Sequence, residues 1–142
     1  MQFYKPVHFQ AYEFLPPEIY EVYGDAGLIA MDARILWTLD SLRNALNAPI
    51  IVNTWFNEGD FFQRGLRTDA KLLEATPLSQ HRFGRAVDFD IQGMSAEDFR
   101  QEVRDQKYSL SLLYVTRIED GINWVHLDCA NTASTEIEFF HA

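Results

Sequence analysis

The feature that most constrains the fold is one apolar stripe with helical spacing, followed by a proline and then by short β-forming segments. The residues of this stripe recur at intervals of four, three and four positions and are Ile35, Leu39, Leu42 and Leu46. The spacing predicts an amphipathic helix that begins after Asp32 as its N-cap and ends before Pro49. The mainly apolar residues 50–55 then favour a buried strand.

Three further segments have the composition of strands. Residues 86–91 form one, and residues 110–116 and 122–128 form a pair around the turn sequence of residues 119–121, Glu-Asp-Gly. Asp-Gly favours a tight hairpin, so we expect the last two strands to be antiparallel. Helices and strands segregated in this way predict an α+β domain with a small, largely antiparallel sheet flanked by helices.

Two shorter helices and one long loop complete the predicted organisation. Pro17 opens a short helix that Gly24 ends, and Ser95 with Asp98 resembles the start of a capped helix. Residues 57–77 are polar and follow neither period, which predicts a loop. Loops of this length inside compact domains tend to carry function.

Composition limits both the size of the domain and its partners. The chain has 142 residues, so we expect residues 1–142 to form a single domain. Twelve basic and 21 acidic side chains give a formal net charge of −9. This charge argues against nucleic acid and an anionic membrane surface as partners, because both attract clustered basic residues.

Cysteine content and the first residues bear on the compartment. Cys129 is the only cysteine, which excludes an intrachain disulfide and a CxxC metal site. No basic segment followed by an apolar one occurs at the start of the chain, so we expect no signal peptide. These features fit a cytoplasmic protein, or a phage-encoded one that is released at lysis or carried in a virion.

The residues best suited to chemistry are two histidines and an aspartate. His81 and Asp88 lie on either side of Gly84, where the chain can turn, and His126 lies in the last predicted strand. Two imidazoles and one carboxylate suffice for a zinc site with a fourth position open to water. Strand alternation places Asp128 on the same face as His126, either as a partner of the metal site or as an acid–base group.

Two motifs surround these residues. Residues 79–88 have the pattern Ser-x-His-x-x-Gly-x-Ala-x-Asp, and residues 124–128 have the pattern aromatic-Val-His-x-Asp. Together they resemble the zinc D-alanyl-D-alanine carboxypeptidases, the L-alanyl-D-glutamate endopeptidases of phage lysins and the murein endopeptidases. The hedgehog signalling domain shares the fold of these enzymes. The resemblance extends over residues 32–128 and is closest to the murein endopeptidase branch.

The resemblance implies a hedgehog/DD-peptidase-like fold and a zinc peptidase that hydrolyses peptide bonds in bacterial peptidoglycan. Zn²⁺ would be held by His81, Asp88 and His126. A nearby carboxylate would take a proton from the attacking water and pass it to the leaving amine.

The sequence departs from the family pattern where this carboxylate is expected. Many members carry an acid three residues before the last histidine, and Asn123 occupies that position here. Of the remaining local carboxylates we favour Asp128 as the catalytic group, on strand geometry, and place Asp120 second, because the hairpin turn can fold it over the site.

A second departure concerns the substrate. Family members often have an arginine after the first strand that is available for a substrate carboxylate, whereas residues 54–57 contain none. Arg64, Arg67, Arg82 and Arg85 are the alternatives, since a guanidinium suits bidentate carboxylate recognition.

Two other classes of protein remain compatible with the sequence. A non-hydrolytic structural or binding domain that retains zinc on the same fold would explain both departures. An acidic protein that binds a basic partner would need no metal. The donor set of two nitrogens and one oxygen also accepts other divalent first-row metals.

Overall fold

Residues 4–142, which the computed structural model describes, form an α+β architecture as expected. Within this range the four α-helices are α1 Pro17–Tyr23, α2 Ala33–Leu46, α3 Ala70–Ala75 and α4 Ala96–Arg104. The five strands are β1 Ile50–Ile51, β2 Ala86–Ile91, β3 Arg117–Glu119, β4 Val125–Asp128 and β5 Glu138–Phe140. Short 3₁₀ helices span Ala11–Glu13, Gly24–Ala30, Trp55–Asn57 and Gln80–Phe83.

The strands form one mixed sheet in the order β1-β2-β4-β3-β5. The pairs β1–β2, β2–β4 and β3–β4 are antiparallel, while β5 is parallel to β3. In this register Asp88 of β2 lies opposite His126 of β4, and Arg117 of β3 lies opposite Asp128. The sheet thus brings together polar residues that are far apart in the chain.

The long helix predicted after Asp32 is confirmed as α2. The Asp32 carboxylate accepts a hydrogen bond from the backbone N–H of Arg34, and Asn47 ends the helix in the left-handed conformation. The buried cluster that α2 and α4 form with one face of the sheet includes Ile35, Leu39, Leu42, Val87, Phe89, Phe99, Ile118 and Leu127. The opposite face of the central strands therefore carries the polar residues.

The two shorter helices are also confirmed. Helix α1 begins at Pro17 and is followed by Gly24, and α4 begins after Ser95, whose hydroxyl accepts from the backbone N–H of Asp98. No helix in residues 4–142 combines the length and the apolar character that crossing a membrane requires.

The strand predicted over residues 50–55 is wrong beyond Ile51. The backbone N–H groups of Thr54 and Trp55 both donate to the carbonyl oxygen of Phe61 instead of pairing with β2. These bonds turn the chain into a 3₁₀ helix and close a loop. Side-chain composition alone does not reveal this competing set of partners.

The strand predicted over residues 110–116 is wrong as well. Residues 105–114 form consecutive turns, in which Leu110 and Leu113 are 81% and 63% exposed, and β3 begins at Arg117. The hairpin itself is present, but five residues rather than a tight turn join β3 to β4.

Two elements were not expected from the sequence. Helix α3 interrupts the predicted loop over residues 57–77, with Asp69 as its N-cap. Strand β5 follows the segment covered by the motifs and adds a parallel edge to the sheet.

Candidate metal centre

The structure brings the three predicted ligands together in a buried cluster. The Asp88 Oδ1 atom lies 2.8 Å from His126 Nδ1 and 3.2 Å from His81 Nε2, and the two imidazole nitrogens are 3.3 Å apart. All three side chains are buried. This cluster can hold a metal ion.

The spacing of the donor atoms fits a tetrahedral ion. Bonds of about 2.0–2.1 Å to nitrogen and oxygen ligands place two donor atoms roughly 3.3 Å apart. Two of the three observed separations, 3.2 and 3.3 Å, already match this value. Only the 2.8 Å contact between Asp88 and His126 would have to lengthen, by about half an ångström.

Three separate elements position the ligands. Asp88 and His126 are direct partners in the β2–β4 ladder, so their side chains leave the same face of the sheet. His81 lies in the 3₁₀ helix Gln80–Phe83, and Gly84 then turns the chain into β2. Gly84 has a φ of +66°, and a Cβ there would come within 2.0 Å of the Ala30 carbonyl oxygen. This position of the motif therefore requires glycine.

A backbone carbonyl determines which nitrogen His81 offers to a metal. His81 Nδ1 lies 2.8 Å from the carbonyl oxygen of Gly65 and donates its proton to it. In the neutral imidazole the lone pair is then on Nε2, the atom that faces Asp88 and His126. The Gly65 backbone can lie close to the Phe14 backbone because Gly65 has no side chain. A Cβ at this position would lie 2.2 Å from the Phe14 carbonyl oxygen.

Asp128 determines which nitrogen His126 offers to a metal. Its Oδ2 lies 2.9 Å from His126 Nε2, so that nitrogen donates to Asp128 and Nδ1 is directed toward the other ligands. The fully buried carboxylate also accepts from Arg117 and from the backbone N–H of Ala130. These contacts favour the first of its two predicted roles, the partner of a metal ligand. The catalytic role of Asp128 stays a prediction.

Asp120, the second predicted catalytic residue, pairs with cations of α4. Its carboxylate accepts from Arg104 Nη2 at 2.7 Å and lies 3.4 Å from Arg100 Nε. Among the described residues it makes no hydrogen bond to His81, Asp88 or His126. A role as proton acceptor would require this carboxylate to leave both arginines.

Opposite charges dominate the electrostatics of the cluster. Burial alone would lower the pKa of His126, but its hydrogen bonds to Asp128 and Asp88 outweigh burial and raise the pKa to about 9. Burial alone would raise the pKa of Asp88, but the two imidazoles hold it well below its usual range. In the metal-free protein a proton therefore occupies the space between His126 and Asp88, and a metal ion has to displace it.

A cavity opens beside Asp88. Its volume is about 260 Å³, and it is lined by Asp60, Phe61, Phe62, Gln63, Arg64, Arg67 and Asp88. Arg67 donates to the second oxygen of Asp88, Oδ2, at 2.9 Å, while Oδ1 faces the histidines. Of the four arginines considered as carboxylate-binding groups, Arg67 thus lies closest to the ligands in the hydrogen-bond network.

The other predicted residues lie elsewhere. Arg64 also lines the cavity, but its guanidinium pairs with Asp90 and stacks on a phenylalanine. Arg82 and Arg85 both lie against Phe83. Asn123, which replaces the acid of the family pattern, lines a different cavity of about 390 Å³. The buried thiol of Cys129 is not part of the ligand cluster.

Several residues that build the site were not singled out from the sequence. Gly65 fixes the His81 tautomer, Arg117 holds Asp128, and Asp60 is a carboxylate in the cavity. Arg117 would have emerged from pairing the last strands in the correct register, since it lies opposite Asp128. Gly65 and Asp60 belong to a loop whose path no periodicity predicts.

Comparisons of the chain with protein-family models, with curated proteins and with solved structures gave no match.

Proposed function

We propose that this chain is a zinc-dependent peptidase that hydrolyses peptide bonds in bacterial peptidoglycan, as a carboxypeptidase or an endopeptidase. The observation that carries the metal site is the donor cluster of His81, Asp88 and His126, whose spacing suits a tetrahedral ion. The reaction and the substrate class rest on the resemblance of residues 79–88 and 124–128 to zinc peptidases of the cell wall. Three protein ligands leave a position for water or substrate, which is typical of catalytic rather than structural zinc sites.

Each ligand would bind through a defined atom. His81 would use Nε2, because Nδ1 is committed to Gly65, and His126 would use Nδ1, because Nε2 is committed to Asp128. Asp88 would use Oδ1 and keep its other oxygen on Arg67. When bound, zinc supplies Lewis-acid polarisation of the scissile carbonyl and of the attacking water.

Arg67 is positioned to orient the substrate. Its guanidinium is anchored by the Gln63 carbonyl oxygen and Asp88, yet its side chain is 21% exposed in the cavity. A guanidinium has five donors, so it can bind a peptide carboxylate or carbonyl while it keeps these contacts. The half-exposed rings of Phe61 and Phe62 would exclude water from the bound peptide.

Three carboxylates compete for the role of proton acceptor. Asp128 and Asp120 already accept from arginines. Asp60 is exposed and lines the same cavity as Asp88 and Arg67. We therefore add Asp60 to the two candidates from the sequence, as the carboxylate that holds the proton between water and leaving amine.

The second candidate function is a non-hydrolytic domain that retains zinc on the same site. The specific observation in its favour is that Asn123 replaces the usual acid while Asp128 and Asp120 are engaged in ion pairs. Under this alternative the cluster would bind zinc with the same ligands, but no wall peptide would be cleaved.

The decisive experiment measures zinc content and the release of new amines from purified peptidoglycan of several wall types. The wild type, Asp88→Asn and Asp90→Asn are compared. Asp90 is the matched control, because it lies two residues along β2 on the same face and pairs with Arg64. We expect zinc and amine release in the wild type and in Asp90→Asn, and the loss of both in Asp88→Asn.

Each of the other possible results supports a different class of protein. Zinc at full occupancy with no amine release from any wall would overturn the peptidase and favour the non-hydrolytic domain. A wild type that takes up no metal would overturn both and favour an acidic protein with a basic partner. Mass analysis of the released fragments separates removal of a terminal residue from cleavage inside the peptide.

A further inference from the structure

The last strand of the sheet lies against the last metal ligand. The ring of Phe140 in β5 contacts the ring of His126 edge to face, with centroids 5.7 Å apart and planes at 79°. Neither motif in the sequence includes Phe140, and β5 lies beyond β3 in the sheet order. The contact therefore links an edge of the sheet to its centre.

Arg117 closes a ring of contacts around the same imidazole. Its guanidinium lies over the Phe140 ring at 4.2 Å and donates to Asp128 through both Nε and Nη2. Asp128 in turn accepts from His126. His126 is therefore held at Nε2 by the Asp128 carboxylate and at its ring by Phe140, while Arg117 joins these two groups. Its other nitrogen, Nδ1, faces Asp88.

We propose that Phe140, together with Arg117, is a positioning residue that fixes the His126 ring in the orientation required for metal binding. The proposal rests on the proposed metal site and extends it to a strand outside the motifs. Contacts to Asp128 and Asp88 restrain the two ring nitrogens of His126, which leaves the ring free to rock about the line through these nitrogens. An aromatic neighbour at van der Waals distance removes this freedom, because it blocks one side of the rocking motion.

The same strand provides a matched control on its opposite face. Phe139 lies under the guanidinium of Arg104 at 4.1 Å, and Arg104 pairs with Asp120. This arrangement repeats the phenylalanine, arginine and aspartate of the His126 side, but without a histidine. Phe139→Ala and Arg104→Lys therefore remove equivalent contacts from β5 with no direct effect on the ligand.

The first experiment measures zinc affinity by competition with a chromogenic chelator. We expect Phe140→Ala and Arg117→Lys to weaken zinc binding about 10-fold or more, since partners of metal ligands typically contribute 10- to 100-fold. Phe139→Ala and Arg104→Lys should change it by less than about 3-fold, and Phe140→Tyr should retain wild-type affinity. Equal losses in the Phe139 and Phe140 variants would overturn the proposal, because they would indicate a general weakening of the strand.

A second measurement needs no metal. The His126 Nε2 proton donates to Asp128, so it should give a protected ¹H–¹⁵N imidazole signal in the metal-free wild type and in Phe139→Ala. Loss of this signal in Phe140→Ala supports the positioning role, even if the wild type binds no zinc and the proposed function fails. Persistence of the signal in a folded Phe140→Ala protein overturns the positioning role, even if the wild type binds zinc.

Discussion

At the scale of single residues, the site depends on one backbone carbonyl. The Gly65 oxygen accepts from His81 Nδ1, and the Gly65 Cα lies so near Phe14 that a Cβ would come within 2.2 Å of the Phe14 carbonyl oxygen. The Phe14 carbonyl oxygen itself accepts a hydrogen bond from the backbone N–H of Leu66. The hydrogen bond between His81 and Gly65 and the close approach of Gly65 to Phe14 can change only if the backbone moves. The position of Gly65 and the tautomer of His81 are therefore coupled.

We predict that Gly65→Ala costs at least about 2 kcal/mol of unfolding free energy and also weakens zinc binding, because the displaced carbonyl no longer fixes His81. Gly93→Ala is the control. Gly93 has a positive φ, +82°, which Gly65 does not have, and a Cβ at Gly93 meets no atom within 4 Å, so only the conformational cost of about 1 kcal/mol applies there. Denaturant unfolding and chelator competition measure both effects. Equal behaviour of the two variants would refute the steric argument.

The choice of proton acceptor is also decided at single residues. We predict that Asp60→Asn lowers amine release from peptidoglycan by about 10²-fold or more while zinc affinity stays unchanged, since a general base contributes 10²- to 10⁴-fold. Glu58→Gln is the control, because Glu58 is a nearby exposed acid that does not line the cavity. Full activity of Asp60→Asn would return the role to Asp128 or Asp120, which their own asparagine variants then separate.

At the scale of elements, segments with strong local signals could be predicted and segments with competing partners could not. The apolar period and the Asp32 cap sufficed for α2, and the Ser95 cap sufficed for α4. The strand predicted over residues 50–55 failed because Phe61 captures two amides. Leu110 and Leu113 suggested a strand because apolar residues are assumed to be buried, yet both are exposed.

The candidate site shows the same contrast between residues with a local sequence signal and residues without one. The motif positions predicted His81, Asp88 and His126, and strand register explains why two of them meet. The residues that orient them come from segments with no such signal, namely the loop at Gly65 and strand β5. The orientation of a metal-binding side chain depends on contacts with residues far away in the chain. The periodic patterns of a single sequence do not reveal such contacts.

Helix α4 anchors the loop that leads into β4. The buried guanidinium of Arg100 donates to the carbonyl oxygens of Ile122 and Trp124, and it also pairs with Glu97. These bonds fix the start of the strand that carries His126. Arg100 thus links the packing of a helix to the position of a ligand.

We predict that Arg100→Met destabilises the protein by about 2–4 kcal/mol, because two partly buried carbonyl oxygens lose their charged donor. Zinc affinity should fall as well, since the loop before His126 is released. Arg43→Met on α2 is the control for removal of a helical arginine; among the described contacts Arg43 makes no side-chain hydrogen bond or salt bridge. Thermal unfolding and chelator competition are the measurements. A stable Arg100→Met protein with unchanged zinc affinity would contradict the anchoring role.

At the scale of the whole molecule, the buried charges of the site make stability depend on pH. In the metal-free protein the pKa of His126 is raised from 6.5 to about 9, whereas the pKa values of Asp88 and Asp128 are lowered. The raised histidine contributes stability that is complete below pH 6.5 and is lost as the pH rises toward 9. The lowered carboxylates contribute stability above pH 3.8 that is lost as the pH falls. These groups therefore favour the metal-free fold most strongly in weakly acidic solution.

We predict that zinc reverses this dependence on the alkaline side. Zinc needs the deprotonated Nδ1 of His126, so its affinity should rise between pH 6.5 and 9, where the metal-free protein loses stability by at most about 1.4 kcal/mol per pH unit. The Tm gained on adding zinc should therefore be larger at pH 8.5 than at pH 6.5, and a chelator should abolish it.

His8→Gln is the control, because His8 lies outside the cluster and hydrogen-bonds to Asn44. A zinc-induced Tm gain that is equal at both pH values would show that His126 is not a ligand. Zinc binding with no gain at either pH would place the ion elsewhere on the chain.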